Sequence, residues 1–211
     1  MLNLLKVNPK AKNTTQVLNR QIEYIVVHYT AGVTSRPGWA VHVSNYFENT
    51  AKDVSADFIV DDAMAVQYNP DLENRYTWHC GRKKKEENRN RISSLCTNQN
   101  SIGIELCSTN SKQQITHPGD EAYYFTEAVL ENGALLIGIL MVLYDIDISH
   151  VVRHYDVTGK ECPGVQGWFG SDEESSEWLK FRGRAATERD RFIKAGLQKP
   201  HGGAETTDVN E

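Results

Sequence analysis

The sequence predicts an α/β protein: a single domain with a mixed central β-sheet flanked by helices. Short β-branched runs alternate along the chain with longer amphipathic stretches, the pattern of strands interleaved with covering helices. The 211 residues suffice for one full-sized core. The chain shows no internal repeat and no apolar run of the roughly 18 residues that a membrane span needs.

The first clear element is the run Ile22 to Thr30 (IEYIVVHYT), β-branched and aromatic and bounded by Ala31-Gly32; it reads as a buried strand ending near His28. Ser35-Arg36-Pro37-Gly38 is a turn. Trp39 to Asn49 follows as a helix with Val43, Tyr46 and Phe47 on one side. Ala56 to Val60 and Ala65 to Tyr68, with Asp61-Asp62 between them, predict a hairpin. Asn69 to Asn100 is polar and irregular, and its mixed-sign run Arg82 to Arg91 (RKKKEENRNR) reads as a solvated loop. Ser101 to Cys107 (SIGIELC) predicts a strand with Ile102, Ile104 and Leu106 on one face and Gly103, Glu105 and Cys107 on the other. Asp120 to Tyr144 carries the longest helical apolar face, including Phe125, Val129, Leu136 and Leu140. His150 to Arg153 is a short strand leading into the loop VVRHYDVTGKECPG. Asp172 to Leu197 predicts a charged amphipathic helix with Trp178, Phe181 and Phe192.

Bulk properties narrow the function classes. A net charge of −5 and a pI of about 5.8 argue against nucleic acid as the main partner, because phosphate binding needs a basic face. The N-terminus lacks a basic segment followed by a long apolar core, so no signal peptide and no membrane insertion are expected, and synthesis is cytoplasmic. None of the four cysteines forms a C-x-x-C pair, which excludes a four-cysteine zinc finger or a thioredoxin motif. Free thiols are expected of a cytosolic product, although a Cys80–Cys96 or Cys96–Cys107 disulfide stays open. The sequence assigns no oligomeric state.

Two histidines stand at strand ends, His28 and His154, and Cys162 follows the second in the spacing H-x7-C. Two imidazoles and a thiolate make three protein ligands, the number that a catalytic zinc takes while keeping one position open. The same residues also read as a satisfied core histidine and a small buried cysteine. Glu105 is either an inward carboxylate, costly unless it is paired or put to use, or an ordinary outward charge. Lys160 is either a loop-tip charge or a cation placed beside the open metal position.

The stretches IVVHYTA, VSADFIVDD, WHCG, SIGIEL and RHYDVTGKECPG occur here in order. Together they resemble the signature of the type 2 N-acetylmuramoyl-L-alanine amidase family, whose fold the peptidoglycan-recognition proteins share. The resemblance covers roughly residues 20 to 165. It implies zinc held by His28, His154 and Cys162, with Glu105 and Lys160 catalytic. The implied substrate is peptidoglycan, cut by water at the amide between N-acetylmuramic acid and L-alanine, as in cell-wall lysis by endolysins. A non-catalytic peptidoglycan-binding module and a cytosolic muropeptide-recycling amidase are the alternatives. Some family members carry a catalytic tyrosine where this chain has Ala56, which shifts the burden to Glu105. Often the next residue is histidine; here it is Asp57, which either orients a zinc histidine or caps the hairpin. Trp78 and His79 match the family's W-H-x-G near the substrate groove, which implies a groove-lining donor at His79 in preference to the alternative, a metal ligand. The implied organisation is a zinc amidase domain over 1–170, a C-terminal helical extension over 171–198 and a disordered tail over 199–211, with action on the wall after release.

Overall fold

Alternation along two strands sets the architecture of the computed structural model, which describes residues 2–6, 12–81 and 91–198. All but the last residue of the expected solvated loop at 82–91, and the tail at 199–211, lie outside the described residues. The principal sheet has six strands in the order β1 (Asn3–Lys6), β5 (Met64–Gln67), β4 (Phe58–Val60), β7 (Ser101–Leu106), β3 (Tyr24–Tyr29) and β10 (Val151–Arg153). Only the β4–β5 hairpin is antiparallel; the other pairs run parallel, so the sheet is mixed as expected.

Successive side chains of a strand face opposite sides. On one face Ile25, Val27, Ile102, Ile104 and Leu106 join a large core with helices α2 (Glu127–Tyr144) and α4 (Ser176–Lys194). The opposite face is shared by two smaller clusters. Ile59, Val66, Tyr68 and Cys107 pack against Ala40 and Phe47 of helix α1 (Trp39–Asn49). Val26, Val152 and Val157 pack with Cys80 and Cys96. All four cysteines are buried thiols. Helix α1 and the hairpin fall where the sequence puts them.

Several features depart from the sequence reading. Helix α2 starts at Glu127 rather than Asp120, because the Thr126 hydroxyl caps it by accepting from Val129 N at 3.3 Å. The preceding residues make strand β9 (Tyr123–Tyr124), antiparallel to β8 (Thr109–Asn110). Within the stretch read as irregular, β6 (Arg75–Thr77) pairs with β2 (Thr14–Gln16), and β1 is an unforeseen edge strand. The stretch after β10, read as a loop, begins as a short helix, α3 (His154–Thr158). Helix α2 is, by length and composition, apolar enough to cross a membrane, a property the sequence reading did not assign; half of it is buried between the sheet and α4. Trp178, Phe181 and Ala185 of α4 belong to the main core, so residues 176–194 are continuous with the sheet layers rather than appended to them.

Candidate active site

Parallel strands deliver side chains together at their C-terminal ends, where open α/β sheets build their sites. Strands β3 and β10 pair with Val27 opposite Arg153, so the residues that follow, His28 and His154, emerge side by side. Their Nδ1 atoms are 3.1 Å apart. Cys162 Sγ lies 3.7 Å from His28 Nδ1, and the three ligand atoms all fall within 4.8 Å of one another. Two nitrogens bound to one tetrahedral zinc would stand about 3.3 Å apart, given Zn–N bonds of about 2.0–2.1 Å. The spacing and the N/N/S donor set therefore fit zinc.

The segment from 153 to 164 is shaped to return Cys162 to the histidines. Asp156 accepts from Arg153 N at 2.8 Å and from its Nε at 3.0 Å, locking the start of α3, on which His154 is the first residue. Gly159 ends α3 at φ 79°, a left-handed cap that glycine adopts without strain. Tyr155 N then donates to Cys162 O at 2.9 Å, and the Cys162–Pro163 bond is cis. A Cβ on Gly164 would lie 2.3 Å from Tyr29 Oη, so the chain can pass here only as glycine.

Burial disfavours the charged forms of these ligands. It holds His28 well below the usual imidazole range, helped by His154, His79 and Lys160. It pushes the Cys162 thiol up to about 12, with Glu105 adding to the rise and Lys160 opposing it. A divalent cation at this point would reverse the preference of the sulfur, since a coordinating thiol is deprotonated.

Glu105 sits on β7 directly opposite His28 in the parallel register, on the same sheet face. It is half-buried, and its Oε2 has no hydrogen-bond partner among the described residues. Burial pushes its carboxyl up to about 8, and Lys160 pulls it back. Lys160 is exposed on the loop two residues before Cys162. Its charge is felt at His28, Glu105 and Cys162.

The structure thus brings His28, His154, Cys162, Glu105 and Lys160 to one end of the sheet. The other three expected residues lie outside this cluster of five. His79 is 6% exposed and stands behind His28 rather than lining a groove: its Nδ1 is 3.1 Å from His28 Nε2, and its Nε2 is 3.3 Å from Ser101 O. Burial lowers its imidazole to about 4. The expected groove position fails because the ring lies flat against Gly103, where a Cβ would meet its Cγ at 2.5 Å. That glycine, central to SIGIEL, is the sequence signal for the placement, but it points to no particular partner. Asp57 is fully buried, and its carboxylate partners among the described residues are Gly103 N at 2.8 Å, Asn69 Nδ2 at 2.7 Å and the Arg20 guanidinium at 3.8 Å. It ties the start of β4 to β7, and the side chain beside His28 Nε2 is His79 rather than Asp57. Trp78 is half-buried, with its indole N–H donating to Thr15 Oγ1 at 2.9 Å. Sequence reasoning also missed Arg20, which donates to the carbonyls of Gln99, Leu72, Arg75, Asn98 and Ser101 and holds the polar segment before β7.

A family model described as N-acetylmuramoyl-L-alanine amidase matches residues 18–165. A probable N-acetylmuramoyl-L-alanine amidase of Bacillus licheniformis is 33% identical over 149 residues, covering 67% of this chain and 36% of the relative. The amidase CwlL of the same organism is 31% identical over 188 residues, covering 85% of this chain and 44% of the relative. The chain therefore spans less than half the length of these curated relatives. Among solved structures, a mutant endolysin from Bacillus subtilis superposes with a TM-score of 0.61 at 26% identity, covering 88% of this chain and 99% of that one.

Proposed function

Because the chain belongs to the N-acetylmuramoyl-L-alanine amidase family, we propose that it hydrolyses the amide joining N-acetylmuramic acid to the first L-alanine of the peptidoglycan stem peptide. We assign His28, His154 and Cys162 as the ligands of a zinc ion, and Glu105 and Lys160 as the catalytic pair. The observation that carries the reading is the convergence of two imidazole nitrogens and one sulfur within 4.8 Å at the C-terminal ends of parallel strands, beside a carboxylate lacking a partner at Oε2. Held there, zinc supplies Lewis-acid chemistry, acidifying water and polarising a carbonyl oxygen.

The chain's own groups complete the reaction. Glu105 takes a proton from the attacking water and hands it to the alanine nitrogen, which leaves as an amine rather than as an amide anion. A carboxyl whose burial lifts it to about 8 can both hold and release that proton near neutrality. The Lys160 ammonium opposes the negative charge that grows on the carbonyl oxygen; one such donor is worth about 10²–10³ in rate. Asp156 and Gly159 keep the two loop ligands in place through α3. The activity suits lysis of a bacterial cell wall reached after release, as for an endolysin.

The test is mass spectrometry of fragments from purified peptidoglycan digested by the whole chain, with and without a chelator. Stem peptides bearing a new free L-alanine amine are expected, lost on chelation and restored by zinc. Cleavage at another bond, or wall binding without cleavage, would overturn the proposal.

A further inference from the structure

We propose that His79 is a positioning residue that accepts a hydrogen bond from the His28 Nε2–H and so fixes the tautomer and ring orientation of His28, leaving the His28 Nδ1 lone pair facing His154 and Cys162. The inference deepens the zinc-centre reading above and rests on it.

The order of protons follows from the far end of the chain of contacts. The Ser101 carbonyl oxygen, 3.3 Å from His79 Nε2, has no proton to give. The Ser101 hydroxyl lies 3.3 Å from the same nitrogen but donates its own proton to Thr97 O at 2.5 Å. Toward His79, then, both Ser101 oxygens accept, and the ring must carry its proton on Nε2. A neutral imidazole has one ring proton, so His79 Nδ1 is an acceptor. His28 Nε2, 3.1 Å away, must bring the proton to that contact. His28 Nδ1 is then bare, 3.1 Å from His154 Nδ1 and 3.7 Å from Cys162 Sγ. The Cys80 sulfur lies 3.3 Å from the same His79 Nδ1 and 3.6 Å from the Ser101 hydroxyl.

Metal-binding imidazoles characteristically donate their second ring N–H to a fixed acceptor, and loss of that partner costs about 10–100-fold in metal affinity. Here the acceptor is itself held on both sides. Gly103 leaves the space that the ring fills, and Ser101 on the same strand anchors its outer nitrogen. Strand β7 therefore supplies Glu105 to the reaction and also the seat for the His79 ring that orients His28.

The experiment uses the whole chain loaded with zinc. Nitrogen-15 spectra are expected to show both His28 and His79 with the proton on Nε2, and a scalar coupling from His28 Nε2 to His79 Nδ1 across the hydrogen bond. Chelator competition is expected to show zinc affinity lowered about 10–100-fold in His79→Leu, and within about threefold of the parent in His79→Asn, whose side-chain oxygen replaces Nδ1 as acceptor. Equal affinity in the parent and His79→Leu would overturn the inference, as would a His79 proton on Nδ1. Should His79→Leu fail to fold, the tautomers of the parent decide. A parent that binds no zinc overturns the metal-centre reading and this inference with it, whereas a parent that binds zinc with the His79 proton on Nδ1 overturns this inference alone.

Discussion

At the scale of single residues, Glu105 carries a conflict between stability and proposed chemistry. Its carboxyl is raised above the ordinary 4.5 to about 8. The native state therefore favours the protonated acid, and that contribution is complete below about pH 4.5 and disappears as pH rises through 8. At higher pH the fold must hold a half-buried carboxylate with one oxygen lacking a partner among the described residues. Glu105→Gln removes that burden. In the metal-free protein, thermal or denaturant unfolding should find the variant equal to the parent at pH 4 and more stable by on the order of 2 kcal/mol at pH 9. The same change should lower wall cleavage by about 10²–10⁴ while zinc is retained. A variant that lost stability at pH 9 would contradict this account. The residues at this end of the sheet stand out because reactive side chains interrupt apolar strands, His28 ending IVVH and Glu105 breaking IGIEL, but the pattern alone left ordinary core readings open and the ordered family motifs implied their roles. The burial of His79 was not legible, because it depends on Gly103, which the chain brings against the ring only in the fold. The role of Asp57 stayed open between two readings for the same reason, since its partner Arg20 lies in a different segment.

At the scale of elements, α4 is the piece whose role the sequence understated. Its amphipathic pattern marks a helix but not the surface that the helix covers. Trp178 and Phe181 turn out to pack with Trp168 and the apolar face of α2. Trp178→Ala should therefore cost about 3–5 kcal/mol in denaturant unfolding, the penalty for emptying a large core site, rather than the few tenths expected of a dispensable appendage. The long apolar elements were legible, with β3, α1 and β7 close to their expected bounds. Short ones were not. β1, β2 and β6 have three or four residues each and mostly exposed or half-exposed side chains, so their pairing leaves little periodicity to read. The start of α2 slipped because Phe125 continues the apolar spacing backward, while the cap that stops the helix is the single hydroxyl of Thr126.

At the scale of the whole molecule, the sheet order turns three segments distant in the chain into one cluster, and the mixed α/β class follows from the alternation of elements alone. The lateral order of the strands does not, because it depends on which crossovers the helices make. That order has a mechanical outcome. β10 is the outermost strand on its side and only three residues long, joined to the sheet through β3. An ion gripped by His28 at the end of β3 and by His154 just past β10 would act as a rivet at the sheet's thin margin. Backbone amides of Val151 to Arg153 should then exchange with deuterium slowly in the zinc-loaded protein and much faster after chelation, while Ile102 and Ile104 in mid-sheet change little. Free zinc at 100 times its dissociation constant would add about 2.7 kcal/mol to the fold. Equal exchange at that margin with and without the ion would mean that the strand is sewn on by its backbone alone.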